Sequence, residues 1–212
     1  MKLHSYFRSS ASFGVRIALA LKGLAYDYVP VHLVRREQLA PAFTALSRGA
    51  QVPVLEDDAG RILTQSMAII EYLDETHPQP PLLPADAPGR ARVRSIAQDI
   101  ACEIHPLDNL RVLSFLVKEM GVSEDAKNRW YRHWVETGLE AIERALAGPD
   151  TGLFCHGDSA GLADCVLVPQ IFNARRFECR LDHVPTVMRV FEACMQLPAF
   201  QAAEPSACPD AA

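Results

Sequence analysis

Between residues 78 and 88 the chain carries Pro78, Pro80, Pro81, Pro84 and Pro88, and this stretch limits the possible folds more than any other. Proline fixes φ and has no backbone N–H, so no helix runs through such a segment, and the chain there is a stiff connector. The patterns on its two sides differ. Before it, short runs rich in β-branched and aromatic residues alternate with helical ones; after it, only helical periodicity is found. The expectation is two domains, residues 1–80 and 88–212, with a linker at 81–87.

In the first half, Lys2 to Tyr6 is a strand candidate, followed by polar Arg8, Ser9, Ser10 and Ser12. Val15, Ile17, Ala18, Leu19 and Leu21 form an apolar helical run closed by Gly23 as a C-cap. Tyr26 to Leu33 reads as a second strand and Leu39 to Leu46 as a short helix. Val52 to Glu56 and Arg61 to Thr64, joined by Asp57-Asp58-Ala59-Gly60, read as a hairpin. Ser66 opens a helix with Ile69, Ile70 and Leu73 on its apolar face. The order β-α-β-α-β-β-α is the thioredoxin-like arrangement. Beyond the prolines, Ile96, Ile100 and Ile104 recur every four residues, and further helices are expected over 107–120, 124–147, 162–178 and 184–197. The fold class expected is α/β plus all-α: a thioredoxin-like N-terminal domain followed by an all-helical C-terminal domain.

The formal net charge of −5 argues against nucleic acid as a partner, and any site for an anionic substrate must gather positive charge locally. Six cysteines, with no C-x-x-C pair, point to free thiols in a reducing cytoplasm rather than to zinc or disulfides. After Met1-Lys2-Leu3-His4 no apolar signal region follows, and no run approaches the ~20 residues of a membrane span. Neither a metal nor a membrane partner is expected.

The string Tyr6-Phe7-Arg8-Ser9-Ser10-Ala11-Ser12-Phe13-Gly14-Val15-Arg16-Ile17-Ala18-Leu19 resembles the signature S-S-C-S-x-x-V-R-I-A-L of the zeta-class glutathione transferases. Four further segments fit that class in the same order: Gln51-Val52-Pro53, Gln65 through Leu73, Ile104-His105-Pro106 through Leu113, and Ala163-Asp164 through Phe177. The resemblance covers nearly the whole chain and is to the maleylacetoacetate and maleylpyruvate isomerases. It implies the glutathione transferase fold, glutathione as cofactor, a small dicarboxylate as substrate and a homodimer.

Each implied role has a physical basis. Val52-Pro53 resembles the family's cis-proline element, which leaves the Val52 backbone open to the cysteinyl backbone of glutathione. Ser66 stands at a helix start, where an N-cap and free N–H groups favour the γ-glutamyl carboxylate, with Gln65 beside it. Gln38 and Gln51 are candidates for the glycyl end; surface amides occupy such positions too. Ser9, Ser10 and Ser12 precede a helix, and the resemblance selects Ser9, with Ser10 beside it, to stabilise a thiolate. Turn and cap serines look the same in sequence. His105, Asn109 and Arg111 match positions that face glutathione in the family. Arg8, Arg111 and Arg176 suit a dianion because guanidinium forks pair bidentately with carboxylates, and Arg176 matches a substrate-gripping, catalytic arginine. Asp164 matches a structural helix-capping acid, with Gly161 where the family has Ser or Thr.

The chain departs from the pattern at Ala11 in place of cysteine, at Gly14, and at Ser47-Arg48 in place of an Asn-Pro turn. The expected chemistry is addition of the glutathione thiolate to a maleyl double bond, rotation, and departure of the thiolate. A general transferase or dehalogenase of small electrophiles such as α-haloacids is the alternative that Ala11 favours. A non-catalytic binding module on the same fold is a second.

Overall fold

The computed structural model describes residues 1–211. The chain forms two compact units, one of Met1–Leu82 together with the segment from Met195 onward, the other of Leu83–Cys194. Sequence placed all of 88–212 in the second domain. The difference lies in the last segment, whose α10 (Pro198–Ala202) packs on the first helix of the first unit.

In the first unit, β1 (Lys2–Ser5), α1 (Ser10–Leu21), β2 (Asp27–Pro30), α2 (Pro41–Leu46), β3 (Val54–Glu56), β4 (Ile62–Thr64) and α3 (Ser66–Thr76) follow the expected order. The sheet runs β2-β1-β3-β4, with β1 parallel to β2, antiparallel to β3, and β3 antiparallel to β4. This is the thioredoxin-like arrangement. Helix α1 begins at Ser10, earlier than its apolar run, because the Ser9 hydroxyl accepts from the Ser12 N–H (3.2 Å) and so caps the helix among polar residues. Ser12 through Leu19 are all buried, so this helix is enclosed on every side. It ends as expected: Gly23 lies at φ +64, with Leu24 N–H on the Leu19 carbonyl and Gly23 N–H on that of Ala20, a Schellman motif.

Two buried cations brace the unit. Lys22 Nζ reaches Asp74 Oδ1 (2.8 Å) and the carbonyls of His77 (2.7 Å) and Pro80 (2.8 Å), tying α1 to the chain that leaves α3. Arg16 donates to the Ala203 carbonyl, Ser5 Oγ and the Phe7 carbonyl. The Val52–Pro53 bond is cis, as the resemblance implied; Gln79–Pro80 is cis as well, which the proline-rich composition did not indicate.

In the second unit α4 (Ala87–Gln98) continues into a π-helical segment, Asp99–Ile104, then α5 (His105–Asp108) and α6 (Leu110–Lys118). Sequence suggested one helix over 107–120. The break falls at Asn109, whose extended backbone (ψ 157) and side-chain cap on the Val112 N–H restart the helix. Wide π turns relieve a helix interrupted by a residue such as Pro106. Gly138 on α7 (Glu124–Ala145) makes room for this segment: a Cβ there would lie 2.3 Å from Ile104 Cγ1. Helices α8 (Leu162–Arg176) and α9 (Pro185–Met195) fall where expected. Asp164, fully enclosed, accepts from the Gly161 N–H (2.8 Å) and the Cys155 N–H (2.9 Å), which is the structural capping role expected. All six cysteines are free thiols. Among the described residues no helix is long and apolar enough to cross a membrane.

The hairpin turn is closed by Asp57, 7% exposed. Its carboxylate accepts from the Tyr72 hydroxyl (2.6 Å), the Arg61 guanidinium (2.6 Å) and the N–H groups of Ala59 and Arg61. The Tyr72 bond first, and the Arg61 backbone bond next, hold its pKa well below the usual carboxylate range. A depressed folded pKa gives stability that is present above the unfolded value of about 3.9 and fades as pH falls through the folded one. Asp57→Asn is therefore expected to lower the urea midpoint at neutral pH. The variant's loss of stability between about pH 5 and pH 2 should be shallower than that of the parent chain. Parallel pH profiles would remove this role.

Candidate active site

The sheet register places the first unit's candidate residues at one end. Ser5 pairs with Pro30, His4 with Val54 and Val54 with Thr64, so the ends of β1, β2 and β4 and the start of β3 lie side by side. From that end emerge the Tyr6–Ser9 loop, the segment bearing Gln38, the Val52–Pro53 bond and the Gln65–Ser66 pair. Residues from Tyr6 to Ser66 thus meet at one rim because the parallel β1–β2 pair and the antiparallel β3–β4 hairpin bring these strand ends side by side.

Ser9 is the N-cap of α1 and half-buried. Its oxygen accepts from Ser12, so its own hydrogen remains for donation. Ser10 occupies the first helical position. Arg8 is exposed, with its guanidinium 4.8 Å from the centroid of the Phe7 ring. Gln38 lies in a 3₁₀ turn, Glu37–Leu39, and its enclosed side-chain oxygen has no hydrogen-bond partner among the described residues. Gln51 is held by Ser47, whose hydroxyl donates to the Gln51 carbonyl (2.9 Å) and accepts from its N–H (3.1 Å). Ser47 was read from sequence only as a departure from a turn. A short hydroxyl just past a helix end is nevertheless the usual signal for such a bond.

The cap of α3 is a correction. Ser66 was expected to be the N-cap, but Gln65 is, with its carbonyl accepting from Ile69, and Ser66 is the first helical residue. Gln65 sits at φ +71, ψ 115, a conformation that costs a side-chain-bearing residue about 1–3 kcal/mol. The conformation turns the chain sharply from β4 into α3, whose first N–H groups have no partner within the helix. This helix N-terminus is suited to an anion.

In the second unit, His105, Asn109 and Arg111 lie within two turns of each other across the α5–α6 break. Asn109 caps α6 through Oδ1, and Arg111 is exposed on its first turn. His105 Nδ1 is 3.3 Å from Asp108 Oδ1. Asp108 is 5% exposed and accepts from the Gln170 amide (2.8 Å). Burial first, then the Asp108 charge, push the Tyr131 hydroxyl far above its ordinary pKa, so it stays neutral beside that carboxylate. Tyr131 stacks on Phe177 at 3.7 Å, and the Arg176 guanidinium lies 5.0 Å from the Phe177 centroid. His105 thus sits against Asp108, and Arg176 against Phe177 and Tyr131, with the Asp108 charge acting on the Tyr131 hydroxyl. Sequence reading singles out His105 and Arg176 but not Asp108 or its partner Gln170. Polar residues at apolar helical positions were the available signal.

Residues 3–81 match the family described as "Glutathione S-transferase, N-terminal domain". Over its full length the chain is 47% identical to a maleylpyruvate isomerase from Ralstonia, with 100% of both chains covered. It superposes with a TM-score of 0.97 and 47% identity on a holo maleylpyruvate isomerase, described as a bacterial zeta-class glutathione S-transferase, covering all of both chains. A maleylacetoacetate isomerase from Anaeromyxobacter dehalogenans, solved with dicarboxyethyl glutathione and citrate in its active site, is 48% identical, with a TM-score of 0.89 and coverage of 100% and 97%. The fold is thus that of a glutathione transferase. Within that class, the chain belongs to the zeta-class family of maleylacetoacetate and maleylpyruvate isomerases.

Asp108→Ala removes the acceptor of the Gln170 amide, and the charge beside the Tyr131 hydroxyl, from an enclosed space. The expected loss is about 2–4 kcal/mol in urea unfolding. A change below about 1 kcal/mol would show that the carboxylate does not hold the network.

Proposed function

We propose that this chain is a glutathione-dependent cis–trans isomerase of a maleyl keto-dicarboxylate, maleylacetoacetate or maleylpyruvate, converting it to the fumaryl form in aromatic catabolism. The likeness over the entire chain to isomerases of that name carries the reading. The bound dicarboxyethyl glutathione in one of them places both chemical groups in a single site of that relative.

Glutathione offers a thiol, two carboxylates and peptide groups, and the residues at the sheet rim fit them. The N-terminus of α3 at Gln65 and Ser66 suits a carboxylate. The Val52 backbone beside cis Pro53, directly after Gln51, suits a peptide group, and the unpartnered Gln38 oxygen suits an N–H donor. His105, Asn109 and Arg111 are candidates by their match to the family pattern. When bound, glutathione supplies the thiolate that adds to the alkene and later leaves, so that rotation occurs about a single bond.

The chain's own contribution is electrostatic and positional. Ser9 donates its hydroxyl hydrogen toward the sulfur, and the N–H groups at the start of α1 favour negative charge there. Arg8, Arg111 and Arg176 hold carboxylates and supply positive charge where electron density moves onto the carbonyl oxygen. Stacking of Arg8 on Phe7 and of Arg176 on Phe177 restricts both guanidinium groups beforehand, which lowers the entropy lost on binding. We further propose a cytoplasmic homodimer.

Turnover of maleylpyruvate and maleylacetoacetate, with a chloroacid as control, should depend on added glutathione; isomerisation at the same rate without it would overturn the reading. Arg176→Ala and Arg111→Ala are expected to raise substrate KM by about tenfold or more, because each removes a charged hydrogen bond. Unchanged kinetics in both would dismiss the arginine anchors. Ser9→Ala should raise the thiol pKa of bound glutathione, read as an ultraviolet thiolate titration. An unshifted curve would clear Ser9 of that role.

A further inference from the structure

The segment from Met195 onward joins the first unit and reaches the loop that bears Arg8 and Ser9. Cys208 N–H bonds to the Pro205 carbonyl and Ala211 N–H to that of Cys208, so the chain turns twice there. Cys208 is buried in one apolar cluster with Tyr6, Phe7, Val31, Phe43, Val52 and Val54, and Ala211 packs against it. These turns bring the Asp210 carboxylate to two donors: the Phe7 N–H at 3.2 Å on Oδ2, and the Tyr28 hydroxyl at 2.6 Å on Oδ1.

The Phe7 carbonyl is held separately, by Arg16 Nη2 at 3.2 Å, and Arg16 also donates to the Ala203 carbonyl at 3.0 Å. The Ser9 N–H closes the turn on the Tyr6 carbonyl at 2.9 Å. Both polar backbone groups of Phe7 are therefore held, one by Asp210 itself and one by the guanidinium that also grips Ala203. Phe7 carries the ring over which the Arg8 guanidinium lies, and Ser9 follows two residues on. A loop of four residues has few other ways to settle its backbone direction. The Asp210 side chain is the piece of that frame farthest from the loop in sequence.

We propose that Asp210 is a positioning residue for the isomerase reaction, acting through the Phe7 backbone on the directions of Arg8 and Ser9. This rests on the function proposed above. Asp210 touches neither substrate nor glutathione in this role. Tyr28 holds the second carboxylate oxygen and so keeps the first aimed at Phe7.

The test compares Asp210→Asn, Asp210→Ala and Tyr28→Phe with the parent chain in four readouts: urea midpoint, kcat and KM for dicarboxylate and for glutathione, the ultraviolet titration of bound glutathione, and hydrogen exchange of the Phe7–Ser12 amides. Both Asp210 variants should exchange faster over Phe7–Ser9 while core strand amides are unaffected. Substrate KM is expected to rise about tenfold, less than the hundredfold that a ~1 Å misplacement costs, and the bound thiol should titrate at higher pH. A fall in the urea midpoint alone, with KM, titration and loop exchange unchanged, would overturn the proposal by showing a merely structural contact. Should both Asp210 variants fail to fold, Tyr28→Phe carries the test: a smaller shift in the same direction is expected, and its absence counts against the proposal. Exchange over Phe7–Ser9 needs no substrate. An inactive parent chain would remove the functional reading, while unchanged exchange would remove the positioning of this loop.

Discussion

The first unit depends on a guanidinium that is almost wholly out of water. Arg16 is 2% exposed, on a helix whose neighbours are Val15, Ile17, Ala18 and Leu19. Burying a cation costs several kcal/mol unless its donors are matched, and here three acceptors from three stretches of chain meet them. Ser5 belongs to the central strand, Phe7 to the loop that follows it, and Ala203 to the end of α10. A planar group with five N–H donors fixed in a fork is suited to joining three such directions at once. Loss of any one acceptor would leave part of the charge unmatched, so strand, loop and returning tail must form together.

A second regularity is the use of helix starts. Ser9 caps α1, Gln65 precedes α3 and Asn109 caps α6, and each lies beside residues proposed to meet anionic groups. A chain with a net charge of −5 cannot rely on its overall field to attract a dianion. It can offer unpaired N–H groups and a few oriented arginines. Asp108, one residue before the α6 cap, is committed to the Gln170 amide, and Asp164 and Asp57 are taken up by backbone N–H groups elsewhere in the chain.

The order of strands and helices was readable because each element has its own period and its own punctuation. Gly23 ends α1 as its position suggested, and Ile96, Ile100 and Ile104 are all buried. Boundaries set by side-chain caps were harder. Helix α1 starts among serines with no apolar signal, α3 is capped by a glutamine in a conformation glutamine rarely adopts, and Asn109 splits what periodicity made one helix. In each case the outcome turns on a hydrogen bond or a backbone angle, and neither alters the spacing of apolar residues.

The amino-acid order alone determined the two-part plan, the family and the residue types of the site, since proline, glycine and apolar periodicity act locally and motifs are strings. Tertiary structure decided which distant groups meet: that Asp108 stands between His105 and Tyr131, that Ser47 grips Gln51, and that a tail some 200 residues away closes on Phe7. Those pairings satisfy buried donors and acceptors. Which partner a polar group finds is settled only when the chain has folded enough to exclude water from both.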